Sequence, residues 1–198
     1  IIGSSGDILF LKAYSPSYLG SISGIYRSPD IGKTWFRDSL LSSRYIFSFQ
    51  SYGDSIYAVG GGIFFSSGHG NIWKEIDSTL PYSITLTKNH DSLFAGWGSV
   101  EQFDERGRVF LSTNNGRTWN QIWRGDAAVL AIATIGTNLF VSGTDGIYRS
   151  TNMGLSWTAV HSQVRSYVDV YDFATMGSNL FAYTWKAIYL TTDKGDSW

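Results

Sequence analysis

Five stretches of this chain are versions of one octapeptide, and that repetition limits the possible fold more than any bulk property does. Ser28-Pro-Asp-Ile-Gly-Lys-Thr-Trp35, Ser112-Thr-Asn-Asn-Gly-Arg-Thr-Trp119, Ser150-Thr-Asn-Met-Gly-Leu-Ser-Trp157 and Thr191-Thr-Asp-Lys-Gly-Asp-Ser-Trp198 agree closely. Ser66-Ser-Gly-His-Gly-Asn-Ile-Trp73 is a degenerate copy that keeps the central Gly and the Trp. The closing tryptophans lie 38, 46, 38 and 41 residues apart, a period that suits one small sheet per repeat. Upstream, Gly6-Asp-Ile-Leu-Phe10, Gly53-Asp-Ser-Ile-Tyr57, His90-Asp-Ser-Leu-Phe94, Gly136-Thr-Asn-Leu-Phe140 and Gly177-Ser-Asn-Leu-Phe181 are variants of one turn leading into one buried strand. A second strand then leads into each octapeptide, as in Gly24-Ile-Tyr-Arg-Ser28 and Gly146-Ile-Tyr-Arg-Ser150. Each unit therefore reads strand A, turn, strand B, loop, strand C, octapeptide turn, strand D.

Composition agrees with many short strands. Aromatic residues make up 16% of the 198 residues and Gly occurs 22 times, and no long segment carries apolar residues at helical spacing. The 15 Lys and Arg against 16 Asp and Glu leave no basic surplus, so nucleic acid is not an expected partner. The longest apolar run, Ala127 to Ile135, is too short to cross a bilayer, so no membrane insertion is expected. The absence of Cys removes disulfides, thiolate metal sites and Cys nucleophiles.

The repeat resembles the Asp-box, or BNR, repeat, Ser-x-Asp-x-Gly-x-Thr-Trp, over essentially the whole chain. In that family the octapeptide is the hairpin between strands C and D of a β-propeller blade, on the side away from the ligand face. The resemblance implies an all-β chain of four-stranded antiparallel blades, with repeats at 1–35, 36–73, 74–119, 120–157 and 158–198. It implies a structural role for Asp30, Gly32, Trp35, Gly70, Trp73, Asn114, Gly116, Trp119, Asn152, Gly154, Trp157, Asp193, Gly195 and Trp198. Physically, the Asp or Asn side chain can accept from the N–H groups of its own turn, Gly supplies a left-handed conformation, and the Trp covers the hairpin edge. Only Ile1 to Asp7 precede Ile8, and no D strand follows Trp198. The expected form is an incomplete arc of about five blades from a larger propeller, with further blades outside this segment.

Catalytic signatures are sparse. His69, His90 and His161 share no local metal-ligand spacing, and Gly20-Ser-Ile-Ser-Gly24 places Ile22 where a serine nucleophile would stand. No catalytic residue, metal or cofactor is expected. Sialidases, which resemble this repeat, grip a carboxylate with an arginine triad, but Arg27 and Arg149 stand on repeated strands rather than at unique positions. What breaks the repetition is loop length. Fifteen residues separate the B-strand aromatic from the C-strand aliphatic in repeats one (Phe10 to Ile25) and three (Phe94 to Val109), against six or seven elsewhere. These B–C insertions carry Tyr14 and Tyr18 in one case and Trp97, Glu101, Phe103, Asp104 and Arg106 in the other, and Trp185 occupies the corresponding turn of repeat five. Aromatic rings beside carboxylates suit a sugar or a protein contact.

The expected function is therefore a non-enzymatic propeller scaffold or binding module for a protein or carbohydrate. The alternative is part of a glycoside hydrolase of the sialidase or xyloglucanase kind. An extracellular or periplasmic setting is implied by the resemblance, since such repeats are common in exported proteins.

Overall fold

The structure, a computed structural model, describes residues 3–13, 24–80, 83–98, 106–126, 128–143, 146–160 and 169–198. It is all-β and divides into two compact units, Ile1–Ser83 and Ile84–Trp198. The first unit holds two four-stranded antiparallel blades. One is β1 (Gly3–Ser5), β2 (Ile8–Ala13), β3 (Gly24–Ser28) and β4 (Phe36–Asp38); a single-turn helix, α1 (Ser39–Ser42), leads to the other, β5 (Ile46–Tyr52), β6 (Ser55–Gly60), β7 (Ile63–Ser66) and β8 (Lys74–Asp77). The second unit holds β9 (Ser83–Asn89), β10 (Ser92–Trp97), β11 (Arg108–Ser112) and β12 (Asn120–Arg124), then β13 (Val129–Ile135), β14 (Asn138–Gly143), β15 (Gly146–Ser150) and β16 (Thr158–Ala159). Its last blade has three strands, β17 (Val170–Met176), β18 (Asn179–Thr184) and β19 (Ile188–Thr191). In every blade the strands pair in chain order, as short hairpin connections require. The first A strand is short but present, with Gly3 opposite Phe10 and Ser5 opposite Ile8.

Three of the B-strand aromatics named by the repeat, Phe10, Phe94 and Phe140, are fully buried in the cores. In the first unit Phe10 stacks on Phe49 with ring centroids 4.7 Å apart, and Trp73 meets both rings edge-on at 5.9 Å. In the second unit Phe94, Val109, Trp123, Ile132 and Val141 fill one cluster, and Phe140, Ile147, Val170, Leu180 and Ala182 fill the next. Each of the larger buried side chains among these contributes about 1.5–3 kcal/mol.

The octapeptide turns repeat down to individual hydrogen bonds. In the first, the buried Ser28 hydroxyl accepts from Gly32 N–H at 2.7 Å and donates to Asp30 Oδ1 at 2.9 Å. Asp30 Oδ1 also accepts from Thr34 N–H at 2.8 Å, Oδ2 accepts from the Thr34 hydroxyl at 2.7 Å, and Trp35 Nε1 donates to Gly32 O at 3.1 Å. Where Asn replaces Asp, the amide Nδ2 of Asn114 donates to Thr118 Oγ1 at 2.8 Å while Oδ1 still accepts from Thr118 N–H at 2.9 Å. Rotation of the Thr hydroxyl from donor to acceptor makes the two side chains interchangeable.

Two features correct or extend the expectation from sequence. The left-handed conformation is not confined to Gly: Ile31, His69, Asn115, Met153 and Lys194, each just before the Gly, have φ between 53 and 60°. Two successive left-handed residues aim the turn's N–H groups back at the Ser or Thr hydroxyl. In the degenerate copy Gly68 offers no carboxylate, yet Ser66 Oγ still accepts from Gly70 N–H at 3.0 Å, so the hydroxyl rather than the carboxylate is the common element. Trp73 there does not cover the hairpin edge as expected. It turns into the core, and its buried Nε1 finds no hydrogen-bond partner among the described residues.

The turns also lock neighbouring blades within each unit. A Cβ on Gly70 would overlap the Phe10 ring, and one on Gly195 would lie 2.6 Å from Phe140 Cε1. Arg27 Nε donates to His69 O at 2.8 Å, and Arg149, at the same strand position, donates to Lys194 O at 2.8 Å. The strand C arginines thus hold the exposed carbonyl of the left-handed residue in the following turn.

Ser150→Ala removes the acceptor of Gly154 N–H (2.8 Å) inside a buried turn and is expected to cost about 1–3 kcal/mol in urea unfolding. Asp30 and Asp193 are held below the ordinary carboxylate range, first by the hydroxyls of Thr34 and Ser197 and then by the N–H groups of the same residues. A depressed folded-state pKa stabilises above the unfolded value of 3.8 and is lost as the pH falls through the folded one. The Asp30→Asn, Asp193→Asn double variant should therefore lose less stability than the parent between about pH 5 and about pH 2, read as urea midpoints across that range.

Candidate functional site

Strand direction places the A–B turns and octapeptides at one end of each blade and the B–C loops and D–A connections at the other. This second end has a different chemistry. In the first unit α1 builds it: Asp38 Oδ1 caps the helix by accepting from Leu41 N–H at 2.7 Å, Leu41 is buried in the core, and Ser42 Oγ accepts from Ile25 N–H at 2.9 Å. That anchoring presents Arg44 and Tyr45 beside Lys12. Together with Ala13, Gly24, Ile25 and Ser42 they line a cavity of ≈ 240 Å³. Tyr45 is 81% exposed. Arg44 bridges to Glu75 at 3.1 Å, and Lys12 Nζ donates to Ile46 O at 2.9 Å.

Cations over aromatic faces recur at this blade end in both units. Lys12 lies 5.6 Å from the Phe47 ring centroid, Arg44 5.8 Å from that of Phe64, Arg108 4.5 Å from that of Trp97 and Lys186 4.3 Å from that of Trp185. Each is close enough for attraction between the charge and the ring face. Trp97 closes β10 opposite Arg108 and is half-buried, with one ring face occupied by that guanidinium. Trp185 is 62% exposed on a turn closed by Thr184, whose hydroxyl donates to Ala187 O at 2.8 Å and accepts from Ala187 N–H at 3.0 Å. Arg106 is exposed at the entry to β11. Tyr14, Tyr18, Glu101, Phe103 and Asp104 lie outside the described residues.

Tyr45, Phe47, Lys12 and Lys186 were not picked out from sequence. The signal for the first was Asp38-Ser-Leu-Leu41, an N-cap residue before a buried leucine, which marks a helical turn in the D–A connection. For Lys12 there was no local signal, because it pairs with Phe47 on another strand, whereas Lys186 lies over the ring of its sequence neighbour Trp185. Two of the histidines have polar neighbours at the opposite blade end: His69 Nε2 lies 3.5 Å from Asp54, and His90 Nδ1 lies 2.6 Å from Asn89 Oδ1; His161 is outside the described residues. Among the described residues no three His, Asp or Glu side chains gather into a metal-holding group, and no helix is long and apolar enough to cross a membrane.

No protein-family model matches the sequence, and no curated protein matches it. Solved structures do share its fold. The extracellular domain of BT4673 from B. thetaiotaomicron matches 94% of this chain with a TM-score of 0.68 at 15% identity, and the chain covers 26% of that one. The GH74 xyloglucanase from Xanthomonas campestris matches 78% with a TM-score of 0.60 at 15% identity, the chain covering 30% of it. YCF48 bound to D1 peptide matches 89% with a TM-score of 0.58 at 15% identity, the chain covering 60% of it. The chain thus spans about a quarter to three-fifths of the length of these three structures. At such identity the likeness establishes the β-propeller fold and nothing finer.

Arg108→Ala should uncover the Trp97 ring. The indole resonance, assigned through Trp97→Phe, is expected to shift, while stability changes by under about 1 kcal/mol, measured by urea unfolding.

Proposed function

We propose that this chain is the ligand-binding part of a non-enzymatic Asp-box propeller, and that it takes a protein segment at the blade end opposite the octapeptide turns. The observation that carries the reading is that cation–aromatic pairs on exposed or half-exposed rings recur at that end in both units: Lys12–Phe47, Arg108–Trp97 and Lys186–Trp185. Aromatic rings and arginine are the side chains most often found as anchors of protein interfaces. A ring backed by a cation is held in place before binding, so less conformational freedom is lost on contact. The octapeptide side chains, by contrast, spend their hydrogen bonds within their own turns. That leaves them a structural role.

The fold is compatible with this reading, since YCF48 carries a bound peptide on a propeller of the same kind. It is also compatible with glycoside hydrolysis, because a GH74 xyloglucanase shares it. An exported setting belongs to the same proposal: the BT4673 match is an extracellular domain.

The test is calorimetric titration of the chain with a peptide panel and with xyloglucan and sialoside oligosaccharides, alongside a hydrolysis assay on the same glycans. A peptide should bind, and Trp185→Ala should weaken it by more than about 1 kcal/mol without changing the unfolding midpoint. Glycan turnover abolished by a single carboxylate substitution would establish the hydrolase instead.

A further inference from the structure

The last blade shows an apolar face that its sister blade keeps covered. Strand pairing sets Leu139 opposite Ser150 in one and Leu180 opposite Thr191 in the other, which fixes the residue equivalences between them. Ile147 is 0% exposed and its equivalent Ile188 is 68% exposed. Ser142 is buried, where Tyr183 is exposed; Ile135 is buried, where Met176 is exposed. Phe140 is buried beneath Gly195 of the following octapeptide, whereas Phe181 lines an open groove of ≈ 290 Å³ with Ala174, Tyr183 and Ile188. The groove lies where the preceding blade receives the glycine of the next turn.

One position on this face shows what would fit it. The residue before the octapeptide Ser or Thr is Arg27, Leu111, Arg149 or Leu190 in repeats one, three, four and five. Both arginines reach the carbonyl of the left-handed residue in the next turn, His69 or Lys194. Leu111 makes no such bond; it packs on the same cluster as Met153, the left-handed residue of the turn that follows it. Within each unit a polar side chain at the strand position thus accompanies a polar left-handed residue, and leucine accompanies an apolar one; Phe65 of repeat two and Asn115 of the turn that follows it belong to different units. Leu190, 41% exposed, belongs to the second kind.

We propose that this face is an open blade-to-blade interface, and that its occupant is a further blade of the same repeat, continuing the polypeptide, whose octapeptide carries an apolar side chain at the left-handed position. In the interface of this kind already formed, the glycine of the turn, Gly154, meets Ile122 of the preceding D strand; the new turn brings its glycine onto the preceding blade in the same way, and its apolar side chain packs beside Leu190 and Ile188. The occupant follows from continuity with the interface already formed between the two preceding blades, residue for residue.

The experiment extends the chain after Trp198 with a copy of residues 120–160, which in octapeptide register supply a D strand and then a blade bearing Met at the left-handed position. Hydrogen exchange at Phe181 and Tyr183 should slow at least about tenfold and the melting temperature should rise. Met→Lys in the appended copy should remove most of both gains, and should remove less in a Leu190→Arg background, where the polar pairing is restored. An extended chain that does not fold, shows no added protection, or is indifferent to Met against Lys would overturn the proposal. So would an unextended chain in which the same amides are already protected and lose that protection on Ile31→Lys, since the face would then be filled by the first repeat, of this copy or of another.

Discussion

A single buried hydroxyl organises each repeat. Ser28, Ser66, Ser112, Ser150 and Thr191 each accept the N–H of the glycine four residues on, at 2.7 to 3.0 Å. The backbone can offer that N–H only if two consecutive residues are left-handed, a conformation that costs any residue other than Gly. A buried, satisfied hydrogen bond offsets that strain, and the Asp or Asn side chain then ties down the far side of the loop. The degenerate second copy shows the order of importance: without the carboxylate, the hydroxyl, the glycine and both left-handed residues persist.

The same turn then decides how blades meet. Because the glycine carries no side chain, the aromatic ring of the preceding blade can sit directly on its backbone, as Phe10 does on Gly70 and Phe140 on Gly195. The carbonyl just before it is left pointing outward, and Arg27 and Arg149 satisfy it from the neighbouring strand. A motif that closes a hairpin is thereby also the docking surface for the adjacent blade, which explains why it is repeated more faithfully than the strands on either side.

The two ends of each blade consequently differ in what they can offer a ligand. At the octapeptide end the polar groups are spent on the turns and on the next blade. At the other end the connections vary in length, one contains a helical turn, and cations rest on exposed or half-exposed rings. Rigid turns at one end free the other to vary without unfolding the sheet, the arrangement expected where a scaffold carries binding loops.

The sequence by itself determined the all-β class, the strand order within each blade and the identity of the core aromatics, because each depends on local pattern: turn residues at fixed offsets and apolar residues at strand spacing. It also singled out the blade end whose loops break the repeat, and Trp97 and Trp185 stand there. Tertiary structure decided the rest. The packing of Trp73 edge-on against the stacked Phe10 and Phe49, the reach of Arg149 to Lys194 and the seating of Lys12 over Phe47 all join residues far apart in the chain. A repeat written in the sequence specifies one blade at a time; contacts between blades arise only when those units are packed side by side.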